Sequence, residues 1–380
     1  MSSATGPLKL LIIAGARPNF MKVAPIIKAA RAQNAASRNG EGRLEWRLVH
    51  TGQHYDAKMS DIFFEELGIP APDVNLEVGS GSHAVQTASV MTRFEPVCLE
   101  EKPDWVVVVG DVNSTMACTL VASKLGIRVA HVEAGLRSFD RSMPEEINRI
   151  VTDSLADLLL TPSEDANENL RREGVAADKI RLAGNIMIDS LIENLPRARR
   201  SRILQGLHLE PGGFAYVTLH RPSNVDHRDG LCAIMAELAR LAGRTPVVFP
   251  MHPRTRKMLS DFGIRGSGVP GVRIIEPVGY YESLCLTENA RLVLTDSGGL
   301  QEESTYFRTP CLTLRPSTER PVTLTQGSNR LTSLQNMQTD LEAVFAGPRR
   351  MGTVPPLWDG NTAARVLQAL RDQPDLKTPT

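Results

Sequence analysis

The segment Leu292-Val293-Leu294-Thr295-Asp296-Ser297-Gly298-Gly299-Leu300-Gln301-Glu302-Glu303-Ser304 decides how the chain is read. The four residues ending at Thr295 are apolar without alternation, the pattern of a short parallel strand buried on both faces. Asp296, Ser297 and two glycines follow, and a helix is expected from Leu300 to about Tyr306. Small residues at such a turn let the backbone approach a ligand. The unpaired N–H groups of the first helical turn favour a phosphate. Glu302 and Glu303 are expected in that first turn, one of them within reach of a ribose diol. Taken alone, this is an ordinary capped strand–turn–helix.

Working outwards, the same design recurs. Residues 8–14 read as a strand ending in Gly15-Ala16-Arg17-Pro18-Asn19, with a helix to about residue 34 and Pro18 in its first turn. Arg17 and Lys22 place two cations there, suited to a diphosphate. The four valines 106–109 are the clearest buried strand and end in Gly110-Asp111. Residues 128–132 end in Glu133-Ala134-Gly135-Leu136-Arg137, and Pro144-Glu145-Glu146-Ile147-Asn148-Arg149 opens a helix to about residue 155. Asp111 fits either a helix cap or a ligand-facing carboxylate. Glu145 and Glu146 fit either dipole partners or a catalytic acid with its orienter, Arg149. In the second half, strand 216–219 ends in His220-Arg221-Pro222-Ser223-Asn224, and strand 246–249 leads to His252. By position alone either histidine can touch a phosphate or a sugar hydroxyl. Strand 310–314 ends in Arg315-Pro316-Ser317-Thr318-Glu319-Arg320.

Further expectations complete the map: a strand at 46–51, a helix at 60–67, a loop over 68–82 and a helix at 84–101 with a break or kink at Pro96. Strands follow at 158–161 and 180–183, then a domain boundary near Ile188, a basic helical stretch over 197–204, a strand at 272–275 and a last helix from 361 to 371. Two successive sets of parallel strands with crossover helices give an α/β chain of two Rossmann-like, doubly wound domains. Ligand groups gather at the carboxyl ends of both sheets, facing an inter-domain cleft.

The 380 residues suffice for two such cores, and a formal net charge of zero marks no nucleic-acid or membrane-surface protein. Five cysteines without a C-x-x-C pair argue against zinc or a disulfide framework. The first residues have neither a signal-peptide pattern nor a membrane span, so a cytoplasmic location is expected.

The set Gly15-Ala16-Arg17-Pro18 with Lys22, Gly110-Asp111, His131-Val132-Glu133-Ala134-Gly135-Leu136-Arg137, Pro144-Glu145-Glu146 with Asn148-Arg149, His220-Arg221 with Asn224, Asp296-Ser297-Gly298-Gly299 with Gln301-Glu302-Glu303, and Thr318-Glu319-Arg320-Pro321 resembles the non-hydrolysing UDP-N-acetylglucosamine 2-epimerases. The resemblance runs from about residue 9 to the last helix. It implies a GT-B-type architecture, with residues 8–187 completed by a C-terminal helix at 361–376 and a UDP-binding domain over 188–360. It also implies a homodimer, a UDP-sugar substrate, and neither metal nor nicotinamide. On the matching positions Arg17, Ser297, Gly298 and the adjoining Gly299 would hold the diphosphate and Glu303 the ribose. Asp111, Glu133, Glu145, Arg149 and His220 would surround the sugar, with Lys22 and Arg320 nearby. Asp111, Glu133 and Glu145 are then the acid/base candidates, with His220 stabilising the leaving diphosphate. Two departures stand out: Asn19-Phe20 where the best-known members have Glu-Ala, and Ser283 where relatives often carry phenylalanine. The rival reading is a GT-B glycosyltransferase using a UDP-sugar donor. It would need an acceptor-facing patch that the first half does not display.

Overall fold

The computed structural model describes residues 7–37, 42–52, 68–264 and 271–373, with Arg17 and Pro18 described by their backbone alone. The expected helix at 60–67, the residues 53–55 after the second strand and residues 374–376 of the C-terminal segment lie outside that set. Chain contacts divide the protein into two compact units, Met1–Ser190 with Leu357–Thr380, and Leu191–Pro356.

Among the described residues the first unit has seven parallel strands. They are β1 (Leu8–Ala14), β2 (Leu44–His50), β3 (Val74–Asn75), β4 (Trp105–Val109), β5 (Arg128–Val132), β6 (Leu158–Thr161) and β7 (Ile180–Leu182), in the order β3-β2-β1-β4-β5-β6-β7. The second unit has six: β8 (Ala215–Thr218), β9 (Val247–Pro250), β10 (Val272–Ile275), β11 (Leu292–Thr295), β12 (Cys311–Leu314) and β13 (Asn329–Thr332), in the order β10-β9-β8-β11-β12-β13. Both orders reverse direction once, between β1 and β4 and between β8 and β11. A crevice forms at such a reversal, outside the carboxyl ends of the strands. The turns carrying Gly15, Asp111, His220 and Ser297 are the ones that follow these four strands.

The cores explain the sequence pattern. All five residues of β4 are buried, and Val106 and Val108 face a cluster with Val90, Phe94 and Cys118. In the second unit Val217, Phe249, Leu294 and Leu312 pack against Leu238 and Leu241 of helix Arg228–Ala242. Strands buried on both faces keep no polar side, which is why they read as continuous apolar runs.

Several expectations need correction. The 68–82 loop contains β3, a two-residue edge strand. Helix His83–Glu101 runs unbroken through Pro96. The basic stretch 197–204 is not one helix: helix Ile186–Ala198 starts earlier, and a short helix Ile203–Gly206 follows a turn. Helix Gly298–Phe307 begins two residues before Leu300, so Glu302 and Glu303 fall in its second turn and no acid lies in its first.

The C-terminal helix Thr362–Arg371 belongs to the first unit, where it packs on helix Arg17–Ala36. Asp189 caps it, accepting from Thr362 N at 3.1 Å and Ala363 N at 2.8 Å. Trp358 Nε1 donates to the Pro162 carbonyl at 3.1 Å, fastening the returning chain.

Candidate active site

The first unit builds its site from the turns after β1, β4 and β5. Asn19 shapes the first of them: its Oδ1 accepts from Gly15 N at 3.0 Å and Ala16 N at 2.9 Å, while Nδ2 donates to the Val109 carbonyl at 3.0 Å. An ionised glutamate at this place, as in the best-known sequences, could not make the last bond. One turn along, Lys22 reaches the Glu133 carboxylate, and both side chains are buried. Glu133 itself has φ +73°, a left-handed conformation rarely adopted by a glutamate. Gly110, at φ +67°, makes room for the pair: a Cβ there would stand 2.6 Å from Lys22 Nζ.

Asp111 follows Gly110 and is partly exposed. Arg149 donates to its Oδ2 from Nε at 3.1 Å and from Nη2 at 3.0 Å. The same guanidinium contacts Glu146, a buried carboxylate that also accepts from Ser138 N at 2.9 Å and Phe139 N at 2.8 Å. Of the two adjacent acids, Glu146 therefore orients Arg149. Glu145, in the first turn of helix Pro144–Leu155, is exposed and makes no ion pair among the described residues.

Beneath these turns lies a network the sequence reading did not single out. His131 is fully buried, with Nδ1 2.6 Å from Asp153 Oδ1 and Nε2 2.8 Å from the Gly110 carbonyl. Asp153 Oδ2 accepts from Gly135 N at 3.0 Å and Arg137 Nη1 at 2.7 Å. Burial would raise the Asp153 pKa, but the fields and hydrogen bonds of His131 and Arg137 outweigh it and hold the carboxyl below its ordinary range. One carboxylate thus ties the Asp111 turn to the Glu133 turn.

In the second unit the anchor is Asp296, which is fully buried and lies at the end of β11. Its Oδ2 accepts from His220 N at 3.0 Å, Arg221 N at 2.8 Å and Asn224 Nδ2 at 3.0 Å, and its Oδ1 lies 3.0 Å from His220 Nδ1. Burial opposes ionisation here too, and the His220, Asn224 and Arg221 donors overcome it, so the pKa is lowered. His220 and His252, equivalent in sequence, now differ. His220 is held by Asp296, whereas His252 Nδ1 accepts from Arg254 N at 3.1 Å at the start of its own helix. Their rings stand 5.4 Å apart.

Ser297 caps helix Gly298–Phe307 by position, without a side-chain capping bond. A Cβ on Gly298 would lie 2.8 Å from Arg320 Nη1, whereas one on Gly299 would meet nothing within 4 Å. Arg320 is engaged by two carboxylates, Glu302 at 2.9 Å and Glu319. The carboxyl of Glu303 makes no hydrogen bond or ion pair among the described residues. Burial, and then neighbouring Glu302, push it up to about 8. The other departure, Ser283, pairs its hydroxyl with Tyr216 Oη at 2.9 Å. The side chain of Arg17 lies outside the described residues.

The raised pKa of Glu303 has a measurable consequence. A carboxyl held protonated in the fold stabilises it fully below the unfolded pKa, and that contribution is lost as pH rises through the folded value. The loss approaches about 1.4 kcal/mol per pH unit between the ordinary glutamate value of 4.5 and about 8. Glu303→Gln removes this dependence. Its melting temperature is expected to gain on that of the ligand-free wild type as pH rises from 5 to 8, as followed by calorimetry. Parallel curves would show that Glu303 ionises normally.

A model of the family described as UDP-N-acetylglucosamine 2-epimerase matches residues 36–371. The chain belongs to this family of epimerases. It is 42% identical over 372 residues to the UDP-N-acetylglucosamine 2-epimerase of Methanocaldococcus jannaschii, spanning 96% of this chain and 99% of the relative. Another relative is the UDP-2,3-diacetamido-2,3-dideoxy-D-glucuronate 2-epimerase of Pseudomonas aeruginosa. It is 44% identical over 327 residues, covering 85% of this chain and 88% of that enzyme. The crystal structure of the M. jannaschii UDP-GlcNAc 2-epimerase in complex with UDP-GlcNAc and UDP matches with a TM-score of 0.84 at 41% identity, over 96% of this chain and 99% of that one. The epimerase assignment thus covers both units, each with its own parallel sheet. Among the described residues no helix is long and apolar enough to cross a membrane.

Proposed function

We propose that this epimerase interconverts UDP-N-acetylglucosamine and UDP-N-acetylmannosamine, or a closely related pair of UDP-2-acetamido sugars. The second unit contributes the groups that hold UDP: the Ser297-Gly298-Gly299 turn for the diphosphate, Glu303 for the ribose and His220 for the charge of the departing group. The first unit contributes Asp111, Glu133 and Glu145 as acid/base groups, with Arg17, Lys22 and Arg149 as the accompanying cations. Arg320, like Lys22, lies near the sugar.

The C2 hydrogen beside an acetamido group is not acidic, so simple deprotonation is a poor route. Elimination avoids that problem. The C1–O bond breaks with its electron pair leaving on the β-phosphate oxygen, a carboxylate takes the C2 hydrogen as a proton, and C1=C2 forms to give 2-acetamidoglucal. In the return step an acid protonates C2 on the opposite face while the same phosphate oxygen rebuilds the bond to C1. Such a path needs a base, an acid and cations that retain UDP. Closure over the intermediate would exclude water and prevent its loss.

What carries the reading is that Asp111 and Glu133 follow neighbouring strands β4 and β5, each beside a buried cation, Arg149 and Lys22. The family resemblance further supports a homodimer acting in the cytoplasm. The test is to incubate the protein with UDP-N-acetylglucosamine and no acceptor, then separate the nucleotide sugars. The expected product is a mixture of 2-epimers. Release of UDP with free sugar would indicate a hydrolase, and no change without an acceptor would favour a glycosyltransferase.

A further inference from the structure

The loop joining the Glu133 turn to the Glu145 helix presents a phenylalanine in a costly way. Phe139 has φ +58°, a left-handed conformation disfavoured for bulky L-residues, and its side chain is turned out so that the residue is 73% exposed. It makes no ring or cation contact among the described residues. Hydrogen bonds to its backbone, rather than contacts of its ring among the described residues, enforce this arrangement. Glu146, 1% exposed, accepts from Phe139 N at 2.8 Å through one oxygen and from Ser138 N at 2.9 Å and Ser138 Oγ at 3.0 Å through the other. On the far side Ser142 N and Oγ donate to Asp140 Oδ1 at 3.0 and 2.6 Å, closing the loop on itself.

The carboxylate that clamps Phe139 is the one that contacts Arg149, and Arg149 holds Asp111 at 3.0 Å. An exposed aromatic residue is therefore held, through its backbone amide, by the same carboxylate that contacts a cation of the site. We propose that Phe139 is a specificity-determining residue, the apolar wall against which the N-acylated pyranose of the substrate packs. An aromatic face beside carboxylates suits the C–H face of a sugar ring and the methyl of its acyl group, and the groups its loop is tied to, Glu146 and Arg149, lead to Asp111 rather than to the Ser297 turn. This inference rests on the function proposed above and names the group that recognises the sugar as distinct from the nucleotide.

Binding measurements test it without relying on turnover. UDP and UDP-N-acetylglucosamine are titrated calorimetrically into the wild type, Phe139→Gly and Phe139→Asn; both replacements accept positive φ, so the loop keeps its shape. The expected result is unchanged affinity for UDP and affinity for UDP-N-acetylglucosamine about tenfold weaker. In parallel KM rises while kcat stays within about threefold. Equal sugar-nucleotide affinity in all three proteins overturns the proposal. So does a matching loss for UDP alone, which moves the ring to the nucleotide, or a shift in sedimentation of both variants, which makes Phe139 a contact with a second copy of the chain. A wild type that binds the sugar nucleotide with the expected Phe139 dependence but does not epimerise it would instead overturn the proposed reaction.

Discussion

Replacing Asp111 by asparagine is expected to lower epimerisation roughly 10²–10⁴-fold while leaving UDP affinity within about threefold. The change is isosteric, and asparagine Oδ1 still accepts from Arg149, which holds the native carboxylate through Nε and Nη2 at 3.1 and 3.0 Å. The fold therefore has little reason to change. What disappears, on the proposed mechanism, is a carboxylate that takes or gives a proton at the sugar. Initial rates for the variant, read beside calorimetric titration with UDP, separate the two effects. A parallel collapse of UDP binding would show that Asp111 serves the nucleotide instead. Glu133→Gln is a less clean probe, because it leaves the buried Lys22 ammonium without its counter-charge.

Asp296→Ala is expected to be the most damaging substitution in the second unit. It strands the backbone N–H groups of His220 and Arg221 and the amide of Asn224, all now within 3.0 Å of one buried oxygen. An unsatisfied buried donor costs about 1–3 kcal/mol, and partial relaxation brings the expected total to about 3–5 kcal/mol. Turnover should fall as well, since the turn carrying His220 loses its anchor. Asp296→Asn retains one acceptor oxygen and should lie between alanine and wild type. Urea unfolding at neutral pH measures both. Because the folded pKa of Asp296 is lowered, its contribution is present above the ordinary carboxylate range and is lost as pH falls through the folded value. Stability of the alanine variant within about 1 kcal/mol of wild type would remove Asp296 from its structural role.

The strands were legible because doubly buried parallel strands leave uninterrupted apolar runs, as at 106–109 and 292–295. β13, Asn329-Arg330-Leu331-Thr332, has no such signature. It is the terminal strand of its sheet, and Asn329 is satisfied by side chains of Thr313 and Gln301 that sequence does not bring near. That Asp111 and Glu133 follow strands β4 and β5 was readable from the apolar runs before them. The division of labour among the site acids was not. Glu145 and Glu146 are neighbours in sequence, and only the phase of their helix sends Glu146 inward to Arg149 and leaves Glu145 exposed. The anchoring role of Asp296 had no local signal because its partners, His220 to Asn224, lie more than seventy residues earlier. The His131–Asp153–Arg137 network was hidden for the same reason: its bonds join β5 and helix Pro144–Leu155 to the two turns after β4 and β5. The strained φ of Glu133 and Phe139 left no trace in composition at all.

In the proposed mechanism the bond from C1 to UDP breaks and re-forms while the hydrogen at C2 is exchanged with the site's acids. Proton NMR of the sugar during incubation with UDP-N-acetylglucosamine in D₂O tests it most directly. UDP-N-acetylmannosamine is expected to appear with deuterium at C2, and the recovered starting epimer to acquire the same label as equilibrium is approached. Interconversion with the original C2 hydrogen fully retained in both epimers would contradict it.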